Sequence, residues 1–224
     1  MKNLFSCQFK NKVRCLDCGT TSSSHDEIQW MIMINLNLTS KRDFISLIRE
    51  SLKPTVIENS IKCDKCKTKS KKTETITSIK RLPPYLIIAL NLTNFDQQRE
   101  EPVKILEKVK PPTKMVINNV FKEVFSEEKN NQYMEENYEL YAIVVHKGIT
   151  SDNGHYYAIA RNLDKSEISY DDCWYVFNDR DVVKIGANLN LEEFLKKYET
   201  PYLFFFESKN KQAIVSDVEK TIRF

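Results

Sequence analysis

Alternation of apolar and polar positions organises most of this chain. From Ile28 to Leu38 the sequence reads Ile-Gln-Trp-Met-Ile-Met-Ile-Asn-Leu-Asn-Leu and ends in clear period-two alternation, which predicts a long half-buried strand. Between Ser40 and Leu52 the spacing turns helical. Phe44, Ile45, Leu47, Ile48 and Leu52 gather on one face, Ser40 with Asp43 offers a capping-box-like start, and Pro54 closes the helix. Thr73 to Ile79 alternates again. Leu82-Pro83-Pro84 then admits a strand from Tyr85 to Leu92, whose nearly continuous apolar run predicts burial on both faces.

The pattern weakens from Val103 to Phe125, where short strands are expected around Pro111-Pro112, and Ser126 to Asn137 reads as a polar surface loop. Farther on, Tyr138 to His146, His155 to Arg161, Cys173 to Asn178 and Tyr202 to Glu207 read as four strands, with one short helix from Leu191 to Tyr198. Residues 209–224 carry little periodicity and read as a tail. The sum is an α+β protein, largely antiparallel sheet with helices in a minority.

Composition narrows the class without naming it. At 224 residues, with 41% hydrophobic and 29% charged positions, the chain can bury a core without disulfide staples. A formal charge of +3 argues neither for nor against a polyanionic partner. The longest apolar runs, such as Tyr85 to Leu90, fall far short of the ~20 residues a membrane-crossing helix needs, so no membrane partner is expected. The first ten residues lack the apolar stretch of a secretory signal. The six cysteines are therefore read as thiols of a reducing compartment, cytoplasmic and/or nuclear.

Four of those cysteines form two matched pairs, Cys15-Leu16-Asp17-Cys18 and Cys63-Asp64-Lys65-Cys66. Each pair puts two thiolates on one knuckle, and two knuckles supply the four ligands of a tetrahedral Zn²⁺. A structural zinc is the expected cofactor, tying two hairpin tips into a zinc ribbon. The second knuckle is ringed by Lys62, Lys65, Lys67, Lys69, Lys71 and Lys72. Phosphate contacts would suit such a tip. Without interleaved aromatics for base stacking, however, it reads as a solvated charged end, and no nucleic-acid partner is expected.

Two of the three histidines bracket one turn, from His146-Lys147-Gly148 to Gly154-His155-Tyr156. Pairing Arg161 with Cys173 would bring His155 opposite Asp179, and a one-residue shift would give Asn178 instead. Either side chain can accept the imidazole Nδ1–H and leave Nε2 free as a base. Taken alone, such a histidine is more often a satisfied structural residue than a catalyst, and shared metal ligation by His146 and His155 is a further, weaker alternative.

Together these segments resemble the C-terminal part of the catalytic domain of ubiquitin-specific proteases, the papain-like cysteine deubiquitinases. The resemblance runs in order through Val13-Arg14-Cys15-Leu16-Asp17-Cys18-Gly19, Ile61-Lys62-Cys63-Asp64-Lys65-Cys66, Leu82-Pro83-Pro84-Tyr85-Leu86, Tyr138-Glu139-Leu140, His146-Lys147-Gly148, Gly154-His155-Tyr156-Tyr157-Ala158, Trp174 to Asp179 and Tyr202-Leu203-Phe204-Phe205. It implies a papain-like palm over about 81–208, a zinc-ribbon fingers subdomain over about 1–80, and a helical thumb that is missing or incomplete. By resemblance His155 matches the general base, Asn178 its orienter, Asp179 the acidic residue that follows, and Cys15, Cys18, Cys63 and Cys66 the zinc ligands. Ubiquitin or ubiquitinated proteins are the implied partners. The implied reaction is thiol-dependent hydrolysis after the C-terminal glycine of ubiquitin.

The match has one large gap. The family's Cys box is absent from these residues, and neither Cys7 nor Cys173 replaces it, so no nucleophile is assigned within this chain. A smaller departure is Leu92-Thr93-Asn94-Phe95, where the family commonly carries Lys-Arg before Phe. The implied function is that of a deubiquitinase whose Cys-box segment is supplied from outside these residues. The alternatives are an inactive ubiquitin-binding scaffold and, more remotely, a zinc-ribbon nucleic-acid binder.

Overall fold

The computed structural model describes residues 2–22, 24–36, 43–58, 62–67, 72–98, 100–121, 137–161 and 172–210. The elements run α1 (Lys2–Phe5), β1 (Cys7–Cys15), β2 (His25–Gln29), β3 (Ile32–Asn35), α2 (Phe44–Ser51), β4 (Thr55–Glu58), β5 (Lys72–Arg81), β6 (Tyr85–Asn91), β7 (Thr93–Asp96) and β8 (Glu101–Lys104). They continue with β9 (Lys114–Val116), α3 (Ile117–Phe121), β10 (Asn137–Lys147), β11 (His155–Arg161), β12 (Trp174–Asn178), β13 (Asp181–Gly186), α4 (Leu191–Phe194) and β14 (Glu199–Ser208). The α+β expectation holds, with sheet predominating. No helix among the described residues is long and apolar enough to cross a membrane.

Two sheets carry the architecture. A four-stranded sheet in the order β2-β1-β5-β4 forms one arm, antiparallel throughout. An eight-stranded sheet runs β13-β12-β11-β10-β14-β6-β3, with β9 also paired to β10. Only β3 and β6 in it run parallel. Within the first 80 residues, β3 and α2 join this larger sheet rather than the arm.

Period two explains the core. Ile143 of β10 pairs with Phe204 of β14, which pairs with Ile88 of β6, which pairs with Ile32 of β3, and all four side chains are buried on one face. Helix α2 covers that face. Asp43 caps it by accepting the Ser46 N–H at 3.0 Å, and Phe44 packs edge-on against Phe204 at 5.0 Å between ring centroids. Each such buried side chain contributes roughly 1.5–3 kcal/mol relative to exposure.

Several sequence boundaries move. The long strand expected from Ile28 to Leu38 is broken at Trp30–Met31 into β2 and β3, because its two halves pair in different sheets. The helix starts at Phe44 with Asp43 as its cap; Ser40 lies outside the described residues. The expected helix from Leu191 to Tyr198 stops at Phe194, and β14 starts earlier, at Glu199. Most of the expected loop from Ser126 to Asn137, and residues 211–224 of the expected tail, also lie outside the described residues.

Candidate active site and metal centre

The metal centre is built by two knuckles of the same form. Cys15 ends β1, and the Gly19 N–H closes a turn on the Cys15 carbonyl at 2.8 Å. In the second knuckle the Lys67 N–H bonds the Cys63 carbonyl at 2.9 Å in the same way. The closing residue is left-handed in both, with φ of 72° at Gly19 and 58° at Lys67. Pairing of Cys15 with Thr73 across β1 and β5 brings the first knuckle to the end of the strand that the second one precedes.

The four sulfurs lie within 4.8 Å of one another. Cys15 and Cys66 Sγ are 4.0 Å apart, and Cys18 and Cys63 Sγ 3.6 Å. A tetrahedron of ~2.3 Å metal–sulfur bonds has edges of ~3.8 Å, so the set fits Zn²⁺. Its electrostatics also suit a cation. Hydrogen bonds from Thr20, then from Cys66, hold the Cys18 thiol down at about 6. The Cys66 thiol, donating to Cys18 and facing its neighbours, is pushed up to about 12.

His155 opens β11 at the edge of the larger sheet's buried face. The observed register pairs Arg161 with Trp174, not with Cys173. That one-residue difference decides the site. It places Ile159 opposite Val176 and, continued along the strands, puts His155, Tyr157 and Asn178 on one face. Burial of the Trp174 side chain, 2% exposed and stacked under the Arg161 guanidinium at 5.2 Å, fixes this register. Arg161 is held in turn by Glu139 at 3.0 Å and Asp172 at 2.8 Å.

His155 and Asn178 are then diagonal neighbours, and the ring spans the gap with Nε2 only 2.5 Å from Asn178 Oδ1. The expected use of the nitrogens is therefore reversed. Because the far nitrogen, Nε2, donates to Asn178, Nδ1 is the one left free to take a proton. Asn178 and Asp181 close a hairpin through Asp179-Arg180, with Asp179 left-handed at φ 54°, a conformation its short polar side chain tolerates. The Asp179 carboxylate lies 3.7 Å from the same Nε2 and is 78% exposed, so it is the more distant and weaker partner.

His146 does not share this site. Paired with Tyr156, it faces the opposite side of the sheet from His155, which excludes a metal held by both. It is buried against the Tyr156 ring, 4.6 Å between centroids, and burial, reinforced by Lys104, holds its pKa down. The turn wraps tightly around it. Lys104 Nζ donates to the carbonyls of His146 at 3.3 Å and Gly148 at 2.7 Å. A Cβ on Gly154 would stand 2.3 Å from His146 Nε2 and 2.5 Å from the Lys147 carbonyl. Gly154→Ala is expected to cost roughly 1–3 kcal/mol, seen as a melting temperature lower by several degrees. An unchanged melt would show that the turn has room to spare.

A cavity of about 220 Å³ opens on the His146 side, lined among others by Met33, Leu90, Lys104, Tyr156 and Tyr202. Sequence reasoning missed it, since its walls come from seven strands distant along the chain. The two spare cysteines stand apart from His155. Cys7 is fully buried, and burial, opposed by Arg81, pushes its thiol up to about 12. Cys173 precedes β12 at the end opposite Asn178, ~17 Å along the strand. Of the lysine-rich tip, Lys69 and Lys71 lie outside the described residues, and Lys72 pairs with Glu58 at 3.2 Å.

Comparison with known proteins gives a consistent likeness. The sequence profile of a family described as ubiquitin carboxyl-terminal hydrolase matches residues 1–206. The chain is 26% identical over 219 residues to ubiquitin carboxyl-terminal hydrolase 12 of Salmo salar, covering 92% of this chain and 53% of that protein. It is 30% identical over 181 residues to ubiquitin carboxyl-terminal hydrolase 48 of Gallus gallus, covering 79% of this chain and 16% of that one. Among solved structures, the SAGA DUB module of Ubp8, Sgf11, Sus1 and Sgf73 bound to monoubiquitin matches with a TM-score of 0.69 at 21% identity, over 92% of this chain and 41% of that chain. The same module bound to ubiquitin aldehyde gives 0.68 at 21%, over 92% and 42%. These two share the fold. The chain thus spans about half or less of the length of the proteins it matches.

Proposed function

The chain belongs to the ubiquitin carboxyl-terminal hydrolase family, and from that premise we propose that it is the fingers-and-palm portion of a ubiquitin-specific cysteine protease. In this reading residues 1–208 are the C-terminal part of the catalytic domain, with the zinc ribbon mainly in about 1–80, the palm mainly in 81–208, and a tail beyond. The reaction is hydrolysis of the isopeptide or thioester bond after the C-terminal glycine of ubiquitin, once a Cys-box segment supplies the thiol. The observation that carries the proposal is the His155–Asn178 pair, a base with one nitrogen fixed and the other free.

The chemistry follows from that free nitrogen. His155 Nδ1 takes the proton of the incoming thiol, and the thiolate attacks the carbonyl carbon. As the carbon–nitrogen bond breaks, the imidazolium returns its proton to the departing lysine amine. Water, deprotonated by the same nitrogen, then hydrolyses the thioester and frees the thiol. Asn178 keeps the ring aimed throughout. Cys15, Cys18, Cys63 and Cys66 would hold Zn²⁺, which would tie the two knuckles together and keep the arm in shape. Solution in a reducing compartment, cytoplasmic and/or nuclear, keeps those thiolates available.

A second reading, a ubiquitin-binding scaffold without catalysis, is favoured by one observation: none of the six cysteines stands at His155. The two readings separate experimentally. The chain alone is expected to bind ubiquitin by NMR titration and to resist labelling by a ubiquitin probe with a thiol-reactive C-terminus. Joining it to a Cys-box segment should bring labelling on the cysteine of that segment. Absence of labelling in the joined protein would leave the scaffold reading standing, and absence of ubiquitin binding would remove both.

A further inference from the structure

Behind His155 the ends of three neighbouring strands carry a buried carboxylate that the proposed chemistry does not use. Lys147 of β10 is the register partner of both His155 on β11 and Glu199 on β14, so the three residues form a row on one face. Glu199 is 7% exposed. Its Oε2 accepts the Lys196 N–H at 2.8 Å and the Tyr157 hydroxyl at 3.3 Å, while Oε1 faces Lys147 Nζ at 3.9 Å. Tyr157, two residues from His155 on the same strand and face, is itself buried, and its phenol is pushed up, chiefly by burial and then by Glu199.

A carboxylate this enclosed needs partners, and those it has are the residues on either side of His155. The Lys147 ammonium has two directions open to it, toward Glu199 on one neighbouring strand or toward the imidazole on the other. A cation beside an imidazole disfavours its protonated form, which the reaction must pass through. Other charged or titratable groups on the surrounding elements are Asp179, Arg180 and Asp181 at the β12–β13 hairpin, Asp152 in the turn before β11, Tyr156 on β11, and Lys196, Lys197 and Tyr198 before β14. Only Asp179 among them has an ion-pair contact with the ring, at 3.7 Å.

We propose that Glu199 is a positioning residue for His155, anchoring the Lys147 ammonium away from the imidazole and fixing β11 through the Tyr157 hydroxyl. This rests on the reading of His155 as the general base, but its test does not. The His155 Cε1–H resonance of the full chain, assigned with a His155→Gln variant, is titrated by NMR. Glu199→Gln keeps an oxygen for Tyr157 yet releases Lys147, and the midpoint should fall by about half a pH unit. Lys147→Met should raise it by about a quarter of a unit in the parent and by at least twice that in the Glu199→Gln background, because only there is the ammonium free to approach.

Equal effects of Lys147→Met in both backgrounds would overturn the proposal, as would a midpoint unmoved by Glu199→Gln. Should Glu199→Gln fail to fold, the same comparison is made in Glu199→Asp, whose shorter carboxylate holds Lys147 less closely: Lys147→Met must raise the midpoint more there than in the parent, and equal effects overturn the role. Because no ubiquitin is present, a flat titration series removes the positioning role and leaves the hydrolase reading intact. A responsive series in an inactive joined protein does the reverse.

Discussion

Chelating zinc, or replacing Cys15 or Cys63 by Ser, is expected to unfold the distal arm while the larger sheet stays folded. The tip of the arm has little else to hold it. Strand β4 is exposed along its whole length, and Leu16, Val56 and Ile57 are all more than two-fifths exposed. What is enclosed at the tip is chiefly the thiols themselves, with Cys15 at 4% and Cys63 at 9% exposure. Structural zinc contributes ~10–16 kcal/mol in finger peptides at neutral pH, against 5–15 kcal/mol for the stability of a typical whole protein. The larger sheet has its own core and covering helix. Hydrogen exchange should therefore lose protection in Val13 to Cys15 and Thr73 to Thr77 after chelation, and keep it in Ile143 to Val145. Retained protection in the arm of the metal-free protein would sink the structural role.

The same site predicts a pH dependence. Metal binding must remove the remaining thiol protons, including that of Cys66, which is held up near 12 by its thiol neighbours, while Cys18 at about 6 is already ionised at neutral pH. The metal-bound arm therefore carries fewer protons than the metal-free one. Falling pH drives protons back and weakens binding, gradually from about 12 downward as Cys66 holds its proton and more steeply below about 6, where Cys18 is protonated as well. Competition with a zinc-binding dye at several pH values measures it, and affinity that rises on acidification would contradict it.

How far these features were legible depended on whether the information was local. Cysteine spacing carries its own geometry, so Cys15, Cys18, Cys63 and Cys66 could be read as one site across a gap of 44 residues between Cys18 and Cys63. His155 and its two possible partners were likewise visible. Which partner, and which ring nitrogen, was not. Both turn on a register set by Trp174, Arg161, Glu139 and Asp172, one of them on a third strand, and a slip of one residue moves Asn178 to the other face. Strand β1 escaped notice because its inward positions include the polar Asn11 among Cys7, Phe9 and Val13, and β13 because an exposed edge strand such as Asp181–Gly186 need not alternate. Sheet order, and with it the row Glu199–Lys147–His155, exists only after folding.

In the protein joined to its thiol-bearing segment, His155→Ala is expected to lower kcat/KM by roughly 10³–10⁵, with ubiquitin affinity little changed. The base acts only on protons in flight, so its loss falls on kcat. Asn178→Ala should cost less, roughly 10–10³, because the imidazole survives and only its aim and tautomer are released. Asp179→Ala should cost less again, since its carboxylate is 3.7 Å away, 78% exposed and screened by water. The order of the three effects is the test of the geometry. An Asp179→Ala defect larger than that of Asn178→Ala would reassign the orienting role. Residues that act as one unit are not additive, so His155→Ala with Asn178→Ala should be no slower than His155→Ala alone. A further drop in the double variant would mean that Asn178 stabilises the transition state directly rather than through the ring it holds.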